Sequence, residues 1–170
     1  MKKVLKVKLA VILFMSLLAG ANAQNIGFTV SFTEPQAHYA DVEMVISGLK
    51  KDYVDVKMPV WAPGSYLIRE FAKNVEGFTA ADAKGKVLSS QKINKNTWRV
   101  NLAKGDQVKI NYKVYAFEIS VRTSFVDASH AFLSPTGIFM YVDGQINRPA
   151  TIAIKPYKGW TRVSTGLEAV

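Results

Sequence analysis

The sequence predicts an all-β fold, an antiparallel β-sandwich with at most one short helix or helical turn, on three observations. Apolar residues recur at every second position in short runs, the spacing that puts them on one face of a strand. Glycine, proline and Asn/Asp residues stand between the runs, where a chain must turn back. The composition, 49% hydrophobic and 21% charged over 170 residues, supplies the core of one ordinary domain and excludes disordered, collagen-like and low-complexity classes.

Residues 1–23 stand apart from that domain. Lys2, Lys3, Lys6 and Lys8 precede an apolar run at 9–19, and Ala21-Asn22-Ala23 places small residues at a cleavage-site spacing. The stretch reads as a secretory signal peptide cut after Ala23. Its apolar run is shorter than the roughly 20 residues a membrane-spanning helix needs, and no cysteine follows to carry a lipid. The mature chain, 24–170, is therefore expected to be a single β-sandwich domain, secreted or periplasmic and free of the membrane. Without cysteine its stability must come from the core alone.

Within the mature chain, Ile26, Phe28, Val30 and Phe32 share one face of a first strand, with Gly27, Thr29 and Ser31 on the other. In the run 39–47, Val42, Met44 and Ile46 turn inward against Asp41 and Glu43, and Val54, Val56 and Met58 repeat the device against Asp55 and Lys57. Residues 65–75 break the pattern. Leu67, Phe71 and Val75 fall at i, i+4 and i+8, which predicts a short helix or helical turn after Pro63-Gly64. The runs 97–102, 108–117, 138–142, 151–155 and 160–164 are of strand length and rich in β-branched and aromatic residues. In the longest, Val108, Ile110, Tyr112 and Val114 oppose Lys109, Asn111 and Lys113. Gly48, Gly77, Lys84-Gly85, Lys104-Gly105-Asp106, Pro135-Thr136-Gly137, Asp143-Gly144 and Pro156 supply the remaining turns.

Charge and residue chemistry exclude several functions. The formal charge is +9, but from Gln24 onward 18 basic residues face 13 acidic ones, spread singly rather than in blocks. That is a solvated, mildly basic surface and not a nucleic-acid face. The absence of cysteine removes disulfides, thiolate metal sites and thiol nucleophiles. His38 and His130 lie far apart in sequence and no H-E-x-x-H is present, so neither a catalytic nor a metal-binding residue is assigned. A serine nucleophile at Ser65 with His130 as its base can be drawn, yet Pro63-Gly64-Ser65-Tyr66 lacks the second glycine of a nucleophile elbow.

Three clusters exceed what a bland sandwich needs. In Pro59-Val60-Trp61-Ala62-Pro63-Gly64-Ser65-Tyr66, followed by Arg69-Glu70-Phe71, two prolines and a glycine bracket large aromatics. Either this is a rigid strand-exit loop with Trp61 plugging the core, or it is a shaped surface whose Tyr66, Arg69 and Glu70 meet a partner domain or ligand. Residues 120–126 read as a strand, with Asp127 and His130 just past its end. Those two are capping and core-edge residues, or contacts to a substrate or neighbouring domain. Asn94-Lys95-Asn96-Thr97-Trp98 reads as a polar turn leading into a strand with Trp98 buried.

Taken in order, these patches, together with Ser120-Val121-Arg122-Thr123-Ser124-Phe125-Val126-Asp127, His130-Ala131-Phe132, Gly159-Trp160 and Thr165-Gly166-Leu167, resemble the N-terminal domain of the glycyl-aminopeptidase family of zinc metallopeptidases. The resemblance covers nearly all of the mature chain, and the W-x-P-G-S-Y-x-x-R-E patch is its most specific part. It implies a three-part polypeptide: a saddle-like β domain, a thermolysin-like domain holding zinc on H-E-x-x-H and a further Glu, and a C-terminal PDZ module. The chain departs from that pattern by ending after the first part, consistent with a fragment or truncated frame, so by this resemblance every zinc ligand would lie beyond Val170.

The expected function is thus a non-catalytic N-terminal domain that packs on the zinc peptidase catalytic domain of the same polypeptide and shapes a cleft for a peptide substrate. Trp61, Tyr66, Arg69, Glu70, Asp127 and His130 are its candidate substrate or interdomain contacts. No cofactor is expected in this chain, and zinc is expected in the catalytic domain. The rival reading is a standalone periplasmic module in which Trp61, Tyr66 and Phe71 stack on a sugar or peptide.

Overall fold

The computed structural model describes residues 25–102 and 107–170. The segment 1–23, read as a signal peptide, and the turn expected at Lys104-Gly105-Asp106 lie outside them. In chain order the strands are β1 (Ile26–Ser31), β2 (Tyr39–Ser47), β3 (Tyr53–Lys57), β4 (Val75–Asp82), β5 (Ser90–Asn94), β6 (Thr97–Asn101), β7 (Gln107–Tyr115), β8 (Phe125–Val126), β9 (Ala131–Phe132), β10 (Tyr141–Val142) and β11 (Ala150–Lys155). A single α-helical turn, α1 (Pro135–Ile138), and 3-10 turns at Pro35–Ala37 and Phe71–Asn74 interrupt them. Among the described residues no helix is long and apolar enough to cross a membrane.

The alternation read from the sequence determines which face is inside. β1 and β2 alternate buried and half-buried side chains without a break. β7 alternates buried and exposed side chains, so Val108, Ile110, Tyr112 and Val114 face the core while Lys109, Asn111 and Lys113 face outward. β1, β2, β7 and β4 pair antiparallel in one sheet of order β11-β1-β2-β7-β4, and a second sheet has the order β10-β3-β6-β5. Their inner faces share one hydrophobic cluster, and the stacked rings of Phe78 on β4 and Trp98 on β6, 5.5 Å apart, bridge the two layers. Val30, Met44, Ile46, Val56, Val100, Val108 and Ile110 are fully buried. Each such side chain contributes about 1.5–3 kcal/mol of transfer free energy, so the all-β core holds without disulfides.

One strand pair departs from the antiparallel rule. β11 runs parallel to β1, Ile26 opposite Ala150 and Ser31 opposite Lys155. The chain reaches β11 from β10 in the other sheet, and a crossover of that kind permits a parallel neighbour where a tight hairpin does not.

Several local expectations are corrected. The helical spacing at 65–75 yields only the 3-10 turn Phe71–Asn74, because Leu67 points to solvent and Val75 already belongs to β4. Residues 138–142 are split between α1 and the short β10, since Pro135 starts a helical turn that takes in Ile138. Residues 160–164 form no strand. Trp160 instead closes a turn on Tyr157 and packs its ring 4.8 Å from that of Phe32. Of the run 120–126, only Phe125–Val126 pairs, and Val121 is exposed. Gly77 makes no turn: it sits inside β4 at φ 61°, where the register to β7 shifts between Glu76 and Thr79.

Candidate functional site

Strand polarity gathers the singled-out residues at one end of the sandwich. Ser31 pairs with Asp41, Tyr39 with Tyr115, and Val75 with Val114, so the C-termini of β1 and β7 meet the N-termini of β2 and β4. In the second sheet Lys57 pairs with both Thr97 and Tyr141. The loops 58–74 and 116–140 and the segment after Lys155 therefore all emerge at that end. This places Trp61, Tyr66, Arg69, Glu70, Asp127 and His130 on the same end of the molecule. No hydrogen bond or ion pair joins the 61–70 group to the 127–130 group among the described residues.

The loop between β3 and β4 is clamped from within. The Met58 N–H donates to the Asn96 carbonyl at 2.9 Å, and Asn96 Nδ2 donates back to the Met58 carbonyl at 2.8 Å. Farther along, the Arg69 N–H donates to the Val60 carbonyl at 2.7 Å, and the Arg69 guanidinium Nη2 donates to Ser65 Oγ at 3.1 Å. Gly64, at φ 76°, turns the chain between them. Held in this way, the backbone buries Ala62 and Ser65 and thrusts the residues between its anchors outward. Trp61 is 53% exposed, Tyr66 100%, and Ile68 81%. Trp61 thus does not plug the core. Phe71 does so, its ring lying 3.5 Å from where a Cβ on Gly137 of α1 would stand. Among the described residues the Glu70 carboxylate meets the exposed Lys95, at 3.7 Å, a contact worth little in water.

The second group rests on a stack of rings. His38 lies 3.6 Å from Phe117, Phe117 5.2 Å from Phe125, and Phe125 5.4 Å from His130, centroid to centroid. This column carries the β8–β9 turn. There Asp127 Oδ1 accepts from the N–H groups of Ser129 and His130 at 2.7 and 2.9 Å, and from Ser129 Oγ at 2.7 Å. The Ser129 hydroxyl, with the backbone N–H of His130, holds the Asp127 carboxyl down to about 2. Because the one hydroxyl proton of Ser129 goes to Asp127, the 2.8 Å contact between Ser129 Oγ and His130 Nδ1 requires the histidine to donate.

This order of donors leaves neither Ser129 nor Ser65 placed as a nucleophile. The Ser129 proton is aimed at a carboxylate rather than at a base, and Ser65 is 4% exposed with its oxygen under the Arg69 fork. The Ser65–His130 pairing drawn from the sequence does not form. Among the described residues no group of three His, Asp or Glu side chains could hold a metal ion, so the zinc of the resembled family finds no ligand set here. The end offers instead apolar projections on a clamped loop and an ionised, half-buried carboxylate beside an exposed histidine, which is contact chemistry. His38 and Phe117, which position the turn, were not singled out as a site. His38 entered the sequence reading only as a possible ligand, and nothing local to it signals a stacking partner.

A model of the peptidase M61 N-terminal domain matches residues 27–170. Among solved structures the chain is similar to an aminopeptidase N family protein from Idiomarina loihiensis, at 30% identity and a TM-score of 0.72, over 77% of this chain and 22% of that one. The chain thus spans less than a quarter of the length of that protein. No curated protein matches it.

Proposed function

Because the chain belongs to the family of peptidase M61 N-terminal domains, we propose that it is the non-catalytic N-terminal domain of a secreted, glycyl-aminopeptidase-like zinc metallopeptidase, and that its loop-bearing end packs on the catalytic domain and borders the substrate cleft. The observation that carries this reading is the pair of loops at one end that hold Tyr66, Leu67, Ile68, Ile119 and Val121 in water, from 64% exposure for Leu67 to 100% for Tyr66. Concentrated apolar exposure on an internally clamped loop marks an interaction surface. Trp61, Arg69 and Glu70 lie on the first loop beside these side chains, and Asp127 and His130 lie on the second, where an ionised carboxylate suits a cationic group on the partner or the substrate. Zinc, the PDZ module and the hydrolytic step are assigned to the rest of the polypeptide.

Two measurements test the proposal. The frame that encodes the chain is expected to run on into H-E-x-x-H, and the exported product to lack residues 1–23 by intact mass. In that intact product, Tyr66→Ser with Ile68→Glu is expected to split one calorimetric transition into two by uncoupling the domains. An exported product with the mass of 24–170 alone would replace this reading with the sugar- or peptide-binding module. A continuing frame with unchanged calorimetry would move the interface elsewhere.

A further inference from the structure

Among the described residues no helix or strand follows β11, and residues 161–170 are exposed along their whole length. Just before them the chain turns back onto the sandwich. Residues 157–160 form a β-turn, closed by the Trp160 N–H donating to the Tyr157 carbonyl at 2.9 Å, and Gly159 at φ 95° supplies the positive φ its third residue needs. The half-buried Trp160 ring then lies 4.8 Å from that of Phe32, a core residue, and 5.9 Å from that of Tyr157.

Anchored there, the indole Nε1 donates to the Ala128 carbonyl at 3.2 Å. Ala128 stands between β8 and β9, in the turn closed by the Asp127 N–H on the His130 carbonyl at 3.0 Å. That carbonyl of Ala128 belongs to the same peptide unit as the Ser129 N–H, which donates to Asp127 Oδ1 at 2.7 Å. One peptide plane is thus gripped at its oxygen by Trp160 and at its nitrogen by Asp127. An amide whose oxygen accepts a hydrogen bond is polarised into a better donor, so the two bonds reinforce each other. Ala128, Ser129 and His130 are all exposed, and the position of the plane depends on these bonds rather than on burial.

We infer that residues 156–160 are a strap fastened to the Asp127–His130 turn by Trp160, a conformational link between the segment that follows β11 and that contact pair. Displacing Trp160 loosens the turn, and by reciprocity a partner that grips the turn tightens the strap. Trp160 is in this sense a positioning residue for Asp127 and His130. The link rests on contacts within the chain and holds whichever partner the turn meets, so it stands apart from the peptidase reading.

The test is solvent exchange of individual N–H protons, followed by NMR on the ¹⁵N-labelled chain. Trp160→Phe keeps a ring over Phe32 and deletes the donor. The Ser129 and His130 amides should then exchange about fivefold faster, the loss of one hydrogen bond, while the amides of β2 and β7 exchange as in the parent. Asp127→Ala leaves the Trp160 packing untouched and deletes the grip at the nitrogen. It should speed exchange of the Trp160 indole N–H by about the same factor. A tryptophan that merely packs would leave the turn amides unchanged in Trp160→Phe, or shift them together with those of β2 and β7. Either result, or an indole N–H indifferent to Asp127→Ala, would overturn the strap.

Discussion

The imidazole of His38 lies face to face with the ring of Phe117, centroids 3.6 Å apart, while its Nδ1 sits 2.7 Å from the Val126 carbonyl oxygen. A carbonyl can only accept, so Nδ1 carries the proton. His38 thereby ties the β1–β2 connection to both ends of the segment 117–126 that leads into the Asp127 turn, and it does so from a left-handed backbone at φ 66°, which any L residue adopts at a cost.

Replacing His38 with Ala should remove the stack and the bond together and cost about 2 kcal/mol. His38→Asn tolerates the left-handed backbone better but cannot restore the stack, so most of the loss should remain. Urea unfolding of the three proteins measures it, and equal stability of all three would show that the ring column holds nothing.

Tyr112 is the polar centre of the core. Its hydroxyl donates to the Ile138 carbonyl at 2.8 Å and accepts from the Met140 N–H at 3.2 Å, and burial pushes the phenol well above its ordinary pKa. Tyr112→Phe keeps the ring and strands both backbone groups, which should cost about 2–4 kcal/mol. Chemical denaturation should show a lower midpoint with an unchanged slope.

Two glycines should respond oppositely to alanine. Gly64 has open space around it but stands at φ 76°, so Gly64→Ala should destabilise the 58–70 loop by about 1–2 kcal/mol. At Gly137 the new Cβ would meet the Phe71 ring at 3.5 Å, ordinary contact distance. Gly137→Ala should be neutral or stabilising by up to about 1 kcal/mol. Thermal melts of the two variants decide between backbone conformation and space as the controlling factor.

The Asp127 turn should be acid-sensitive in a defined window. Its carboxyl is lowered from 3.8 to about 2, chiefly by the Ser129 hydroxyl and then the His130 N–H. A carboxylate held below its unfolded value adds stability that is complete above that value and disappears as pH falls through the folded one. Asp127→Asn imitates the protonated side chain, so the stability gap between it and the parent should be full above about pH 4 and close toward about pH 2. Paired melts across that range measure the gap, and one that stays constant would refute the assignment. Asp143, lowered by the Lys57 ammonium, titrates alike in both proteins and cancels.

Strands with one buried face were legible in the sequence. β1, β2, β3, β6, β7 and β11 lie where the alternation puts them, because water on one side and core on the other selects residue type at every second position. β5 is exposed along its whole length and β4 carries a bulge near a sheet edge, so neither has an alternation to read. The helical turn expected within 65–75 forms only at its end, Phe71–Asn74: Leu67 shares helical spacing with Phe71, but the Arg69 to Ser65 and Val60 clamps hold the stretch before it open.

By itself, then, the sequence determined the all-β class, the inner face of each central strand, and the patches that resemble a peptidase N-terminal domain, since all of these are local or periodic properties. Tertiary structure alone decided that the loops carrying Trp61, Tyr66, Arg69, Glu70, Asp127 and His130 emerge at one end, and that Trp160 is fastened to the Asp127–His130 turn. Those placements follow from strand pairing between distant segments and from contacts such as His38 to Val126, 88 positions apart. Whether such groups meet depends on the pairing that closes the chain, and no local spacing encodes it.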